Sequence, residues 1–458
     1  MKVIICGAGQ VGHNIARSLV REENDITVID QSEDLIRKLS ESLEIKGLIG
    51  YASHPDVLEQ AGAADADMLI AVTASDEVNM VACQVAHALF NVPTKIARVR
   101  HQGYLQPMWA DLFSRENLPI DVIISPELEV ARAIGRRLKV PGATDVIPFA
   151  GDRVYLVSLK AEASCPVVNT PLSQLTELFP DLTLRIVSII RGDRMIVPTP
   201  RDQIIAGDQI YFVADRDHVP RAMAIFGFEE REARRIIVVG GGNIGLFLVS
   251  QLEKLQPRLN IKLIEADRHR VERIADQLTH SLVLSGSGLD PDLLGDANTG
   301  GAETIVTVTN DDESNILSAL LAKRMGCKRA MALVNNPTYP PLISSLGVDV
   351  VINPRAVTVS RILQHVRRGR IHAVYSLQDG GGEIIEADAL ETSPLVGRPL
   401  RETGLPQGVI IGAVVREGKV IAPDGDTVIK ARDRIVLFAL ADSIRKVEKL
   451  FSVRLEFF

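Results

Sequence analysis

Short apolar runs alternate with amphipathic stretches from the first residues onward. Val3-Ile4-Ile5-Cys6 reads as a buried strand, and Val11, Ile15 and Leu19 then recur at i, i+4 and i+8, the stripe of a helix laid on a sheet. Ile26-Thr27-Val28-Ile29 predicts a second strand that ends at Asp30. Residues 35–43 predict a helix, 45–49 a third strand and 68–72 a fourth. Strands alternating with helices imply parallel pairing through right-handed crossovers.

The same pattern is written again in the second half. The stripe Ile244, Leu248, Leu252 follows Val11, Ile15, Leu19 at the offset that separates Gly7 from Gly240, and Val72-Thr73-Ala74-Ser75-Asp76-Glu77-Val78-Asn79 returns as Val308-Thr309-Asn310-Asp311-Asp312-Glu313-Ser314-Asn315. Each copy continues into a helix opened by proline, over 125–140 and 353–368, with Ser125 or Asn353 as N-cap. Shorter strands come next: hairpins at 186–197 and 409–421, then final strands at 210–213 and 435–438. The expected architecture is α/β, with two Rossmann-like parallel-sheet domains, each followed by a small β-rich α+β domain. The expected divisions are 1–124, a connecting helix 125–142, 143–228, 229–352, a second connecting helix 353–371, and 372–453. The charged run Glu229-Glu230-Arg231-Glu232-Ala233-Arg234-Arg235 reads as the joint between the halves or as a solvated turn.

Bulk composition narrows the classes. The chain has 458 residues, 46% of them hydrophobic and 4% aromatic, enough for roughly three or four aliphatic-rich domains. A formal charge of −7 argues against a nucleic-acid binder, which usually carries a basic stripe. No apolar run approaches the about eighteen residues of a membrane span. Met1-Lys2 leads directly into a strand rather than a signal peptide, so a cytoplasmic protein is expected. Cys6, Cys83, Cys165 and Cys327 are scattered and read as small buried hydrophobes.

The chemistry concentrates in two glycine turns. Gly7-Ala8-Gly9-Gln10-Val11-Gly12 and Gly240-Gly241-Gly242-Asn243-Ile244-Gly245 each follow a strand and open a helix. In such a turn the first glycine permits the tight bend, the second lets backbone approach a phosphate, and the third lets the helix lie close to the strand. Asp30 stands where a carboxylate accepts hydrogen bonds from an adenosine ribose and repels a ribose 2′-phosphate, which favours NAD(H); ATP and ADP carry the same hydroxyls. Thr73 and Ala74 follow the fourth strand, and Arg98 ends the next, where its planar fork suits phosphate; the plain alternative is a surface ion pair. In the second copy Glu265 takes the place of Asp30, and Thr309 and Asn310 match Thr73 and Ala74. Leu333 stands where Arg98 stood, so the two sites are expected to differ, or the second to be a structural copy.

Plainer readings hold elsewhere. Cys6 is expected in the core, His54 in a polar turn and His13 on a helix surface. Arg132, Arg136, Arg137 and Lys139, and likewise Arg361, Arg367, Arg368 and Arg370, read as solvated basic faces. The apolar stripes Leu128, Ala131, Ile134, Leu138 and Ile362, Leu363, Val366 suit packing between domains or subunits.

At this point the chain resembles the regulator-of-potassium-conductance (RCK, or KTN) domain family, in its tandem form found in Trk-type potassium uptake regulators. The resemblance rests on residues 7–12, Asp30, Val72-Thr73 with Asp76-Glu77-Val78-Asn79, and the closing Gly418-Lys419-Val420-Ile421-Ala422-Pro423-Asp424-Gly425-Asp426-Thr427. Where many members have Gly-Asp after the third strand, this chain has Gly50-Tyr51 and Gly286-Ser287. The resemblance implies a non-enzymatic regulatory subunit, peripheral at the inner face of the plasma membrane. It implies a homo-oligomeric ring, dimeric or tetrameric, gating a membrane potassium-translocating subunit, with NAD(H) and adenine nucleotides as effectors. The family holds its nucleotide at positions matching residues 7–11, Asp30, Thr73, Ala74 and Arg98.

The alternative is an NAD-dependent oxidoreductase with a duplicated cofactor domain. It needs a proton donor near the nicotinamide, and none of the tyrosines has a lysine four residues on. A redox-sensing repressor is a third option; the acidic charge and the lack of a helix-turn-helix segment count against it.

Overall fold

In the computed structural model, the structure describes residues 1–21, 24–179, 182–230, 232–336, 338–339, 342–343, 346–366, 371–377 and 380–451. The described part of Met1–Glu129, together with the helix Pro354–Val366, forms one compact unit, and the remaining described residues form another.

Six strands make the sheet of the first unit: β1 (Lys2–Cys6), β2 (Asp25–Asp30), β3 (Lys46–Ile49), β4 (Met68–Ala71), β5 (Thr94–Arg98) and β6 (Val122–Ile124). Their order is β3-β2-β1-β4-β5-β6, all parallel. The order reverses between β1 and β4, which opens a crevice at the carboxyl edge of the sheet. Val3 and Ile5 of β1 enter one core and Ile4 and Cys6 the other, as expected of a strand covered on both faces. Helices α1 (Gln10–Arg21), α2 (Glu33–Ser42), α3 (Pro55–Gln60) and α4 (Asp76–Phe90) alternate with the strands. Ser32 caps α2 and Ser75 caps α4 through their hydroxyls, which fixes where each chain reversal ends. Helix α5 (Pro126–Lys139) begins in the first unit and runs into the second.

The second unit holds three sheets. Strands β7 (Asp145–Phe149), β8 (Val154–Lys160), β9 (Leu184–Arg191), β10 (Arg194–Ile196) and β11 (Gln209–Asp215) pair antiparallel in the order β10-β9-β11-β8-β7. The second parallel sheet comprises β12 (Arg235–Val239), β13 (Asn260–Glu265), β14 (Leu282–Ser285), β15 (Thr304–Thr307), β16 (Arg329–Leu333) and β17 (Val350–Ile352). Its order, β14-β13-β12-β15-β16-β17, repeats the first. Strands β18 (Ile371–Leu377), β19 (Gly382–Asp388), β20 (Val409–Arg416), β21 (Lys419–Ile421) and β22 (Arg434–Leu440) form a second antiparallel sheet in the order β18-β19-β22-β20-β21. The expected repeated α/β architecture is therefore present. The hairpins β9-β10 and β20-β21 stand where the alternation put them; β7, β8, β18 and β19 are additional.

The two antiparallel sheets share one core, in which Val187 and Val213 of the first meet Ala413, Val436 and Phe438 of the second. Gly412 belongs to this contact. A Cβ there would lie 2.9 Å from the side chains of both Val187 and Val213. Each sheet also carries, at the same place, an ion pair whose carboxylate is buried and whose arginine is partly exposed, Arg191–Asp208 at 2.9 Å and Arg416–Asp433 at 2.6 Å.

The connecting helices depart from chain order. Val359, Ile362, Leu363 and Val366 of the helix Pro354–Val366 pack into the core of the first parallel sheet, with Ile15, Ala16 and Leu19 of α1. A helix from the second half thus completes the first. The basic face of α5 is solvated only in part, with Arg132 and Lys139 exposed. Arg137 is buried, pairs with Asp145 at 2.6 Å and donates to the Thr144 carbonyl at 2.9 Å, and Arg136 donates to the Val146 carbonyl at 3.2 Å. The reason is that α5 ends against β7, so carbonyls and a carboxylate replace water there. Arg231, Arg367, Arg368 and Arg370, and the expected domain end at 453, lie outside the described residues.

Candidate functional site

At the carboxyl edge of the first parallel sheet, the turn from β1 into α1 is fixed by two glycines. Gly7 has φ +112°, and a Cβ on it would sit 3.0 Å from the Thr73 nitrogen and the Val72 carbonyl oxygen. A Cβ on Gly12 would lie 1.8 Å from the Gly7 carbonyl oxygen, so the helix can follow the strand this closely only with hydrogen at that position. Gly9 differs from both. A Cβ there would meet nothing within 4 Å, so it faces open space beside the first turn of α1, where Gln10 is exposed and Val11 partly so. Backbone N–H groups at a helix start carry partial positive charge and suit an anion.

Asp30, at the end of β2, closes the turn. Its Oδ2 accepts the Ala8 N–H at 2.7 Å and its Oδ1 the Ser32 N–H at 2.9 Å. Each carboxylate oxygen has a further lone pair for a ligand hydroxyl. Asp30 therefore braces the glycine turn while facing the crevice edge.

Across the crevice, the ends of β4 and β5 are tied by Asn79, a fully buried side chain near the start of α4. Its Oδ1 accepts from the Thr73 N–H at 2.8 Å and the Thr73 hydroxyl at 2.7 Å, and its Nδ2 donates to the Arg98 carbonyl at 2.9 Å. Asp76 accepts the N–H groups of Arg100 and His101 at 2.9 and 2.8 Å. Both residues lie in the repeated segment of the sequence, but no role was read for them there; their recurrence as Asn315 and Asp312 was the available signal. Ala74 is exposed.

Arg98 is not a surface ion pair. It is partly buried, its Nη2 donates to the Thr73 carbonyl at 2.6 Å, and its Nε is buried with no hydrogen-bond partner. Burial, then the neighbouring Arg100 charge, lower its pKa. Such a guanidinium gains from an added anion.

The second copy keeps the frame. Gly240 has φ +106°, a Cβ on Gly245 would lie 1.9 Å from the Gly240 carbonyl oxygen, and Gly242 again faces open space. Gly241 packs under Ile274, and its N–H donates to Glu265 Oε2 at 2.7 Å. Asn243 is exposed and Ile244 partly so. Asn315 holds Thr309 and the Leu333 carbonyl as Asn79 holds Thr73 and Arg98, and Asn310 is exposed. Two differences stand out. Leu333 is buried where Arg98 would be, and Glu265 is itself buried with Arg270 at 3.7 Å.

The remaining residues follow the plain readings with small changes. Cys6 is fully buried, and burial raises its thiol pKa, so it is a poor nucleophile. His54 precedes α3 without capping it through its side chain. His13 is half-buried against Arg17 at 2.8 Å, and burial together with the Arg17 charge lowers its pKa. No described helix is long and apolar enough to cross a membrane.

Comparison with known proteins agrees with this repeat. The family model described as the TrkA-N domain matches residues 3–126 and 236–354, and that of the TrkA-C domain matches 150–227 and 384–452. The chain is 54% identical to the Trk system potassium uptake protein TrkA of Azorhizobium caulinodans and 44% identical to that of Halomonas elongata, covering all of each chain in both cases. Among solved structures, the GsuK RCK domain has a TM-score of 0.59 at 18% identity, covering 99% of this chain and 95% of that one. The GsuK channel bound to NAD has a TM-score of 0.60 at 18% identity, covering 99% and 79%. At that identity the likeness establishes the RCK fold. With both domain types present twice and relatives alike from end to end, the chain belongs to the family of Trk system potassium uptake proteins TrkA.

Proposed function

We propose that the chain is a cytoplasmic regulatory subunit of a Trk-type potassium uptake system. In this reading it binds NAD(H) or an adenine nucleotide at the first glycine turn and gates a membrane potassium-translocating subunit. The observations that carry the reading are the open space beside Gly9 at the start of α1, the Asp30 carboxylate accepting from Ala8 in the same turn, and a buried, unpartnered Nε on Arg98 at the end of β5. Phosphate suits the helix start and Arg98, and the adenosine ribose suits Asp30. Family membership and an RCK neighbour described as bound to NAD support the ligand class. The second copy, without the arginine, holds its ligand more weakly or serves as a frame.

The role is regulation rather than catalysis. A nucleotide changes the gate only if it contacts two conformations of the assembly differently, because equal affinity for both shifts nothing. The assembly is a homo-oligomeric ring, and the subunit works at the inner face of the plasma membrane. Within that reading the chain divides near 125, 143, 229, 353 and 372, with the connecting helices as levers. Affinity isolation of the full chain from bacterial membranes tests the assignment. Co-purification of a potassium-translocating membrane protein is expected; recovery of soluble metabolic enzymes alone would contradict it.

A further inference from the structure

One carboxylate crosses between the two antiparallel sheets. Glu386 of β19 is buried, and its Oε2 accepts the Ala150 N–H at 2.8 Å. Ala150 begins the turn from β7 to β8, where Ala150, Gly151 and Asp152 have φ of +51°, +62° and +65°. Alanine and aspartate are strained in that region and stay there only where their surroundings hold them. The bond from Glu386 is the hold that the second sheet supplies. Glu386 does not have its counter-ion to itself, because Arg434 of β22 reaches both Glu386 Oε1 at 3.3 Å and Asp388 Oδ1 at 3.1 Å. The other oxygen of Asp388 meets His372 Nε2 at 2.7 Å, and Arg434 Nη2 lies 3.4 Å from that same nitrogen. A bulge directs His372 there: the register of β18 with β19 shifts between Ile371 and Ala373.

The first antiparallel sheet has the same place without the charges. Gln209 pairs with Lys160 as Arg434 pairs with Asp388, and Ser158 pairs with Asp145 as Glu386 pairs with Ala373. Thr144, Ser158 and Gln209 thus stand where His372, Glu386 and Arg434 stand in the second sheet. They are neutral and bond to one another: Gln209 Nε2 donates to the Thr144 hydroxyl at 2.8 Å, and that hydroxyl donates to Ser158 at 3.1 Å. Strands pack in this way without ions, so the ionised version needs a reason beyond the fold. Burial would raise the Asp388 pKa, but the hydrogen bonds from His372 and Arg434 bring it below the ordinary value, and Asp388 stays ionised near neutral pH. While His372 is neutral, two carboxylates share one guanidinium and the cluster is negative. A proton on His372 balances it.

We propose that His372, Asp388, Arg434 and Glu386 form a proton-responsive clasp that tightens the contact between the two antiparallel sheets as pH falls. Histidine is the side chain that ordinarily changes charge between about pH 5 and 8. Protonated His372 gives Asp388 a cation of its own and repels Arg434 from it. Arg434 then serves Glu386, whose carboxylate is held against the Ala150 amide. The remaining titratable groups nearby are committed or at the rim. Tyr375 of β18 donates to Asp145, Arg153 in the β7–β8 turn donates to the Gly418 carbonyl, and Asp152 is exposed in that turn. Because the clasped form holds the proton more firmly, the tie is fully present in mild acid and is lost as pH rises. The clasp does not depend on the nucleotide reading.

Hydrogen exchange at the Ala150 amide of the full chain reads the clasp directly, by mass spectrometry of overlapping peptides at about pH 6 and about pH 8. After correction for the intrinsic pH dependence of exchange, wild type is expected to protect this amide about tenfold better at the lower pH. His372→Gln keeps a donor for Asp388 but never gains a charge, so its protection is expected to be equal at both. His372→Asn serves as the second variant, and unchanged exchange in β11 shows that either one folds as wild type. Wild-type protection that is the same at both pH values overturns the proposal without recourse to a variant. A pH dependence that survives in a folded His372→Gln or His372→Asn protein overturns it as well.

Discussion

Gly9 and Gly12 lie three residues apart in one turn, yet different constraints fix them. At Gly12 a methyl group would overlap the Gly7 carbonyl oxygen, so Gly12→Ala is expected to destabilise the fold by about 3 kcal/mol, read as a lower thermal midpoint. At Gly9 the same methyl meets nothing in the protein. Gly9→Ala should melt like wild type and still lose nucleotide affinity, by about 2 kcal/mol or roughly thirtyfold in calorimetry. A variant that unfolds early, or that binds unchanged, would show that Gly9 does not face the ligand. Arg98→Leu, which copies the second repeat, should weaken anionic ligands by about 1.5–3 kcal/mol with no loss of thermal stability. The steric roles of Gly7 and Gly12 and the position of Asp30 were legible because spacing alone dictates them. The burial of Arg98 was not, since it depends on Asn79 drawing the ends of β4 and β5 together. Asp30 also proved to brace the turn through Ala8 and Ser32. Asp30→Ala should therefore lower both affinity and melting temperature, where a residue serving the ligand alone would lower only the first.

At the scale of elements, one carboxylate shows how a loop is held. Glu253, on the helix Asn243–Leu255, accepts hydrogen bonds from the Thr279 N–H and hydroxyl and from the N–H groups of His280 and Ser281, at 2.6 to 3.1 Å. Burial by itself would raise its pKa, but these bonds outweigh it and bring the carboxyl from 4.5 to about 2. A depressed pKa means that the unfolded chain takes up the proton first. The stabilisation is therefore complete above the unfolded value of 4.5 and is lost as pH falls towards 2. Thermal melts of wild type and Glu253→Gln should differ clearly at neutral pH and converge in acid. A gap independent of pH would assign the effect to packing instead. Sequence periodicity located β1 to β5 because they are apolar runs at regular intervals, and it passed over the three-residue edge strands β6 and β17. It missed β7, β8, β18 and β19, where β8 and β19 are almost wholly buried and show no alternation to read. It also misjudged Arg136 and Arg137 on the basic face of α5, because the carbonyls that accept from them come from the segment beyond the helix.

For the whole molecule, duplication gives two similar halves that are not interchangeable. The helix Pro354–Val366 completes the first parallel sheet, and the two antiparallel sheets share a core, so neither half is closed on its own. The halves also differ in chemistry at the glycine turns, through Arg98 against Leu333 and an accessible Asp30 against a buried Glu265. Under the proposed function, a signal entering at the first turn would have a polarity that a symmetric pair would lack. The most direct measurement is potassium flux into proteoliposomes that hold the Trk membrane subunit with the full chain, with and without NADH or ADP. The account predicts a flux that changes on adding nucleotide with wild type and stays fixed with Gly9→Ala. Flux indifferent to nucleotide with wild type, or equally responsive with the variant, would contradict it.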